Sequence, residues 1–249
     1  MADEKGSLRV LADVIALQTQ SSRHRGIGNY THKVLCALLS QPAESQAHIL
    51  LGNGHLTSPD PLPSAVPTPW RLYYGSFPLG EYSPESCPGQ TGPYHDYWQA
   101  QVDRFAPQAL HIHSPFEYEA PFHRPYPRTP TVVTVYDLIP LRFETQYLRP
   151  APQWMRDYYR HVCEFIRQAD HLITISEHSR NDIIELLGIE AQRISVATAG
   201  PIRPSSSPQT QKLCSECGAA MGCARVSCSA RVDLIFVRTF PAHYKAMLG

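Results

Sequence analysis

Short apolar runs, each closed by a polar or glycine-bearing segment, set the rhythm of this chain. The strongest is Thr131–Leu141, where Val132, Val133 and Val135 are β-branched and nearly continuous before Asp137 and Pro140 break the run. Such a run reads as a buried parallel strand, with its polar residues left at the carboxyl end. Similar strands are predicted at Leu8–Leu17, His48–Leu51, Ala109–His113, His171–Ile175 and Arg193–Ala197. Between them the period changes to that of a helix. Ile27, Tyr30, Val34 and Leu38 recur at helical spacing, as do Met155, Tyr158 or Tyr159, Val162 and Ile166 within Gln153–Gln168. Tyr94–Phe105 can also form a helix. Ser179-Arg180-Asn181-Asp182 fits a capping box, with Ile183-Ile184 and Leu186-Leu187 behind it and Gly188 as the stop.

Strands alternating with helices imply an α/β protein with a single doubly wound, Rossmann-like, mainly parallel sheet. Ligands of such sheets lie outside the carboxyl ends of the strands. Tyr136 and Asp137 therefore stand at the mouth of a crevice and lead the candidates for chemistry. His113, closing its own strand beside Ser114-Pro115-Phe116-Glu117, lines the same crevice. His111 and His113 are two apart and share a face, but no Cys or carboxylate nearby completes a metal set, so no metal is expected.

Two stretches resist the pattern. Nine prolines fall between Pro59 and Pro93, among Trp70, Tyr73, Tyr74, Phe77 and Tyr82. Regular helix is not expected there. The stretch is either an irregular excursion whose aromatics pack on the body or a flap over a cleft. Phe116–Pro130 is a second proline-broken loop. Gly52-Asn53-Gly54 signals a turn.

The segment RGIGNY follows the first strand. Gly26 and Gly28 let the backbone approach a ligand closely, and the first N–H groups of a helix favour a phosphate or carboxylate. Arg23 and Arg25 reinforce that preference. Thr31 occupies the place of the third glycine of the dinucleotide fingerprint, which disfavours a nicotinamide-dependent oxidoreductase; no Walker-type Gly-Lys-Ser/Thr follows. A second anion-favouring helix start lies at Ser176, Glu177 and Ser179, whose simplest role is to cap that helix.

Composition narrows the partners. Lys plus Arg equals Asp plus Glu at 22 each, so no single-sign field argues for nucleic acid or an anionic membrane as the main partner. The start MADEKGS has neither the basic nor the apolar region of a secretory signal, and no run approaches the roughly 18 apolar residues of a spanning helix. A cytoplasmic location is expected. Cys36, Cys87 and Cys163 are scattered, which suits reduced thiols.

RGIGNY, HIHSPFE, TVVTVYDLIPL and ADHLITISEHSRNDIIELLG followed by RISVATAG, in this order and spacing, resemble the N-terminal half of a retaining glycosyltransferase of family 4, the group-1 type with the two-domain GT-B fold. The resemblance covers Leu8–Gly200. It implies that residues 1–200 form the acceptor-side domain, facing a second domain that binds a nucleotide sugar. It further implies transfer of a hexose, with retention, to a glycan or lipid-linked acceptor. No cofactor is implied beyond that donor co-substrate, and polysaccharide synthesis at the inner face of the membrane is the implied setting.

Carried over by residue, Gly26 and Gly28 match the turn that approaches the donor's phosphates, with Arg25 and Asn29 flanking it. Tyr136 matches a position often occupied by histidine, and Asp137 follows it. A tyrosine, with a reference pKa of about 10, cannot take over near-neutral proton transfer. The candidate catalytic residues are thus Tyr136, Asp137 and His113. Substrate binding is assigned to Arg25, Gly26, Gly28, Asn29, Glu117, Ser176, Glu177 and Ser179. Gly28→Val and Asp137→Ala are expected to cut transfer while leaving the fold intact.

Family-like sequence stops at Gly200. A second domain would add roughly 150 residues or more, whereas residues 201–249 open with the linker-like PIRPSSSPQTQ. They continue with Cys214, Cys217, Cys223 and Cys228. The spacing C-x2-C-x5-C-x4-C is a poor zinc set, because its second pair lacks a knuckle. The tail is expected to be foreign to the fold, as a shifted frame or truncated gene would produce, with the donor half then in the intact parent or a separate partner. The alternative function is a binding module for a glycan or nucleotide that does not turn over.

Overall fold

The computed structural model describes residues 8–39, 46–53, 56, 62, 70–75, 87–118 and 120–198. Expectations for the cysteine tail, and for the proline-rich stretch outside residues 62 and 70–75 and the helix from Cys87, lie outside the described residues. Among these residues seven strands form one parallel sheet in the order β3-β2-β1-β4-β5-β6-β7. They are β1 Leu8–Asp13, β2 Gln46–Asn53, β3 Trp70–Gly75, β4 Ala109–Ile112, β5 Thr131–Val135, β6 His171–Thr174 and β7 Ile194–Val196. The chain moves outward from β1 through β2 to β3, then returns to place β4 on the other side of β1. That reversal opens a crevice between the carboxyl ends of β1 and β4, registered by Ala12 opposite His111. This is the expected Rossmann-like α/β sheet.

Among the described residues six helices connect and cover the strands: α1 Gly26–Leu39, α2 Cys87–Phe105, α3 Ile139–Arg142, α4 Glu144–Tyr147, α5 Gln153–Gln168 and α6 Glu177–Leu187. One face of the sheet, with Leu11, Leu110, Ile112, Val133 and Val135, packs on Tyr94 and Trp98 of α2 and on Tyr158 and Val162 of α5. The other face, with Val10, Ala109, Val132 and Tyr136, packs on Tyr30, Val34 and Leu38 of α1. All five residues of β5 are buried, as a strand covered on both faces requires. Cys36 Sγ lies 3.7 Å from His32 Nδ1, and burial pushes the Cys163 thiol up to about 12.

Several boundaries differ from expectation, each for a physical reason. β1 ends at Asp13 rather than Leu17; the chain turns into a 3-10 segment, Ile15–Leu17, whose residues stay buried without strand pairing. β2 continues through Gly52 to Asn53 because Asn53 pairs with Gly75. The proline-rich stretch contains β3, which the parallel partner β2 stabilises despite its surroundings. α2 begins at Cys87 and runs through Pro93, well before Tyr94. Proline removes one helical hydrogen bond there, and the buried Tyr94, Trp98 and Val102, one turn apart, compensate by packing.

Candidate active site

Asp13 closes β1 at the point where the strand order reverses and is 1% exposed. Its carboxylate faces the backbone N–H groups of His113 and Ile15 at the ends of β1 and β4, while its Oδ1 is buried without a hydrogen-bond partner. Burial, and secondarily the charge of Glu117, hold its carboxyl well above the usual carboxylate range. Of these two neighbours His113 lies across the sheet, just after β4, a proximity that carries no sequence signal.

Glu117, also buried, holds the loop that leads from β1 to α1. Its Oε1 accepts the Ser22 hydroxyl at 2.7 Å, and its Oε2 accepts Thr19 at 2.7 Å and Ser21 at 3.5 Å. Both Glu117 oxygens thus hold the protein's own hydroxyls. Gln18 pins the start of the same loop, donating to the Asn53 carbonyl at 2.8 Å and accepting the Asn53 N–H at 2.8 Å.

The glycine turn follows. The Ser22 carbonyl accepts the N–H of Arg25 at 2.9 Å and of Gly28 at 3.1 Å. A Cβ at Gly28 would stand 2.5 Å from the Ser22 and Arg23 carbonyl oxygens, a separation that real Cβ atoms essentially never show. The close approach expected of Gly28 toward a ligand is therefore an approach to the protein's own loop, and Gly28→Val cannot leave the fold intact. Gly26 differs: nothing lies within 4 Å of a Cβ there, and both Gly26 and Arg25 are exposed. Asn29, partly exposed, donates its backbone N–H to the Arg25 carbonyl at 3.0 Å.

Tyr136, 8% exposed, points its hydroxyl at α1. It shares a 2.8 Å hydrogen bond with Thr31 Oγ1, donates to the Ile27 carbonyl at 3.4 Å, and packs edge-on against Tyr30 at 5.4 Å between ring centroids. Burial raises its phenol further above the ordinary tyrosine value. This residue clamps β5 to the first turns of α1. Asp137 beside it is exposed, and its Oδ1 accepts the Ile139 N–H at 3.1 Å, starting α3.

His111 and His113 do share a face, with ring centroids 3.8 Å apart. His111 Nε2 bonds Thr134 Oγ1 at 2.9 Å, the satisfied core histidine of the pair. His113 is 1% exposed, and neither ring nitrogen has a hydrogen-bond partner. Burial, then the proximity of His48, lowers its pKa to about 3. At neutral pH it is a neutral imidazole, able to donate or accept one hydrogen bond but a poor proton carrier. Among the described residues, no group of three or more His, Cys, Asp or Glu could hold a metal ion.

At the second helix start the cap is Ser176, whose Oγ accepts the Ser179 N–H at 3.1 Å. Ser179 is buried inside the first turn of α6 and is not the cap, which corrects the capping-box placement by three residues. Only one residue separates β6 from Ser176, so the helix must begin there. Gly188 ends it in the left-handed conformation with φ 68°. Glu177 is exposed and pairs with Arg180 at 3.6 Å. Arg142 of α3 bonds both Glu185 oxygens, at 2.8 and 2.7 Å, and Asp182 at 3.0 Å, fastening the segment after Asp137 to α6. Ile139, Phe143 and Tyr147, four residues apart, are exposed along that segment.

A parallel sheet in this order, with polar residues at the carboxyl ends around the switch point, defines a Rossmann-like α/β domain. The chain belongs to Glycosyltransferase Family 4, whose model matches residues 26–200. Among solved structures it is similar to a glycosyltransferase from Rickettsia africae ESF-5, at 13% identity and a TM-score of 0.36, over 86% of this chain and 50% of that one. It is also similar to a sucrose-phosphate synthase from Thermosynechococcus elongatus, at 13% identity and a TM-score of 0.46, over 82% and 52% of the two chains. The chain thus spans about half the length of either structure. No curated protein matches it significantly. No helix among the described residues is long and apolar enough to cross a membrane.

Proposed function

We propose that this chain supplies the acceptor-side half of a retaining glycosyltransferase that moves a hexose from a nucleoside diphosphate sugar to a glycan or lipid-linked acceptor. The observation that carries the reading is the crevice at the β1/β4 reversal. At that edge the turn Arg25–Gly26 is open and Asp137 is exposed, next to Tyr136, which bonds the Ile27 carbonyl of the same helix start. The exposed first turn of α1, with Arg25 beside it, suits diphosphate oxygens. Retention then rests on a fixed electrostatic environment more than on proton transfer by Tyr136. Of the two acceptor classes, the apolar stripe Ile139, Phe143 and Tyr147 beyond Asp137 favours one with a lipid part. The donor-gripping half is assigned to a second domain, in the same polypeptide or in a separate partner, and the setting to polysaccharide synthesis near the inner membrane face.

The test is product formation from a panel of nucleotide sugars and acceptors, with the purified chain alone and then with a candidate donor-domain partner. Transfer with retained anomeric configuration supports the reading; inversion of configuration overturns it. One observation favours a second reading, a binding module without turnover: of Tyr136, Asp137 and His113, only Asp137 is exposed. Saturable binding of a nucleotide or glycan, with no transfer under either condition, would establish that alternative.

A further inference from the structure

We propose that Glu117 is a positioning residue for the Arg25–Gly28 turn, acting through Thr19 and Ser22; the inference rests on reading that turn as the donor-phosphate face of the crevice. A carboxylate only accepts hydrogen bonds and is among the most costly groups to bury without partners. Glu117, 3% exposed, faces the loop Thr19-Gln20-Ser21-Ser22, which offers hydroxyl donors at three of its four positions. Each carboxylate oxygen takes one of them at 2.7 Å. The match in number and in kind is what a clamp on this loop needs.

The clamp reaches the turn because side chain and backbone of one residue serve both. Ser22 gives its hydroxyl to Glu117, while its carbonyl receives the N–H groups of Arg25 and Gly28. Gly28 lies so close to that carbonyl that it has no room for a Cβ, so the turn cannot slide independently of Ser22. The Arg23 N–H donates to the Thr19 carbonyl at 2.9 Å, tying the residue after Ser22 back to the other clamped residue. Gln18 holds the loop's near end on Asn53. What remains exposed is His24, Arg25 and Gly26, presented from a fixed base. Glu117 thus fixes the site that meets the ligand without touching the ligand.

The experiment uses the full 249-residue chain with Glu117→Gln, Ser22→Ala and the double variant, and with UDP and GDP as probes. Hydrogen exchange across residues 19–28 is read beside affinity and melting temperature. Glutamine keeps the length but turns one acceptor into a donor. The expected result for Glu117→Gln is faster exchange confined to residues 19–28 and nucleotide affinity weakened on the order of tenfold. Because both residues act in one chain of contacts, the double variant should lose no more affinity than the worse single.

Unchanged exchange in residues 19–28 overturns the proposal, and so do losses that multiply in the double variant. If the wild-type chain binds neither UDP nor GDP, the donor-phosphate reading falls, while the exchange measurement still decides whether Glu117 positions the turn. If Glu117→Gln fails to fold, Thr19→Val and Ser22→Ala carry the same exchange criterion: local loosening sustains the proposal, and unchanged protection overturns it.

Discussion

Gly26 and Gly28 are two residues apart in one helical turn, yet replacing them with alanine should have opposite effects. At Gly28 the new Cβ would meet the Ser22 and Arg23 carbonyl oxygens at 2.5 Å. Relief requires moving backbone, and the Ser22 carbonyl is the acceptor for both Arg25 and Gly28. Overpacking of this kind costs about 1–3 kcal/mol, and weakening two hydrogen bonds adds about 1 kcal/mol each. The better helix propensity of alanine returns up to about 1 kcal/mol. The expected net loss for Gly28→Ala is about 2–4 kcal/mol. Gly26 has open space around it and no positive φ, so Gly26→Ala should be neutral or stabilising by up to about 1 kcal/mol. Urea denaturation of the two variants and the parent reads both values from midpoints at a common slope. Equal midpoints for the two variants, or a Gly28→Ala as stable as the parent, would refute the argument that Gly28 is packed against its own loop.

Three further outcomes follow from the same contacts. Burial lowers the folded pKa of His48 to about 4 and of His113 and His123 to about 3, and lowers His111 well below its usual value. The unfolded chain, with histidines near 6.5, therefore binds more protons in this window. Stability is full above pH 6.5 and falls as pH drops toward 4, by up to about 1.4 kcal/mol per pH unit for each histidine. Asp13, whose folded carboxyl is raised, works in the opposite direction and offsets part of this; a urea midpoint at pH 5 equal to or above that at pH 7 would contradict the net sign. Tyr136→Phe removes the hydroxyl bonded to Thr31 and should cost about 1–2 kcal/mol in denaturation, with any transfer rate changed less than threefold; a large rate loss at unchanged stability would return Tyr136 to the chemistry. Asp137→Ala loses one N–H acceptor at the start of α3, worth about 1 kcal/mol, and should lower transfer in an enzyme carrying both halves by tenfold or more. Wild-type rates there would show that Asp137 does not face the reaction.

The sheet was legible wherever a strand is buried on both faces, because such strands must be apolar along their length. β5 and β6 are of this kind, and α5 matches its periodic expectation from Gln153 to Gln168. β3 was not legible: its run WRLYYG carries a charge and lies among prolines, and its partner β2 stabilises it by long-range pairing that local pattern cannot report. α2 hides in the same way, since Pro88 and Pro93 argue against a helix while the packing of Tyr94 and Trp98 argues for one. The cap of α6 was ambiguous in principle. Ser176 and Ser179 both precede a suitable partner by three residues, and only the end of β6 at Thr174 selects the first.

At the candidate site, residue types were easier to read than roles. A carboxylate, a tyrosine or a glycine at a strand end announces polarity or tightness, yet nothing in the string says whether that feature turns outward to a ligand or inward to the chain. Glu117 turns inward because a loop with three hydroxyls happens to pass it. Tyr136 turns inward because Thr31, 105 residues away, lies under its hydroxyl. Gly28 turns inward while Gly26, of the same motif, stays open. The sheet order explains the mixture. With β1 and β4 adjacent and their following loops on the same edge, the segments 14–25 and 113–118 must pack on each other before any ligand arrives. Part of the polar equipment at the crevice is consumed in that packing, and what the remaining exposed groups can do depends on how firmly the inward-facing ones hold them.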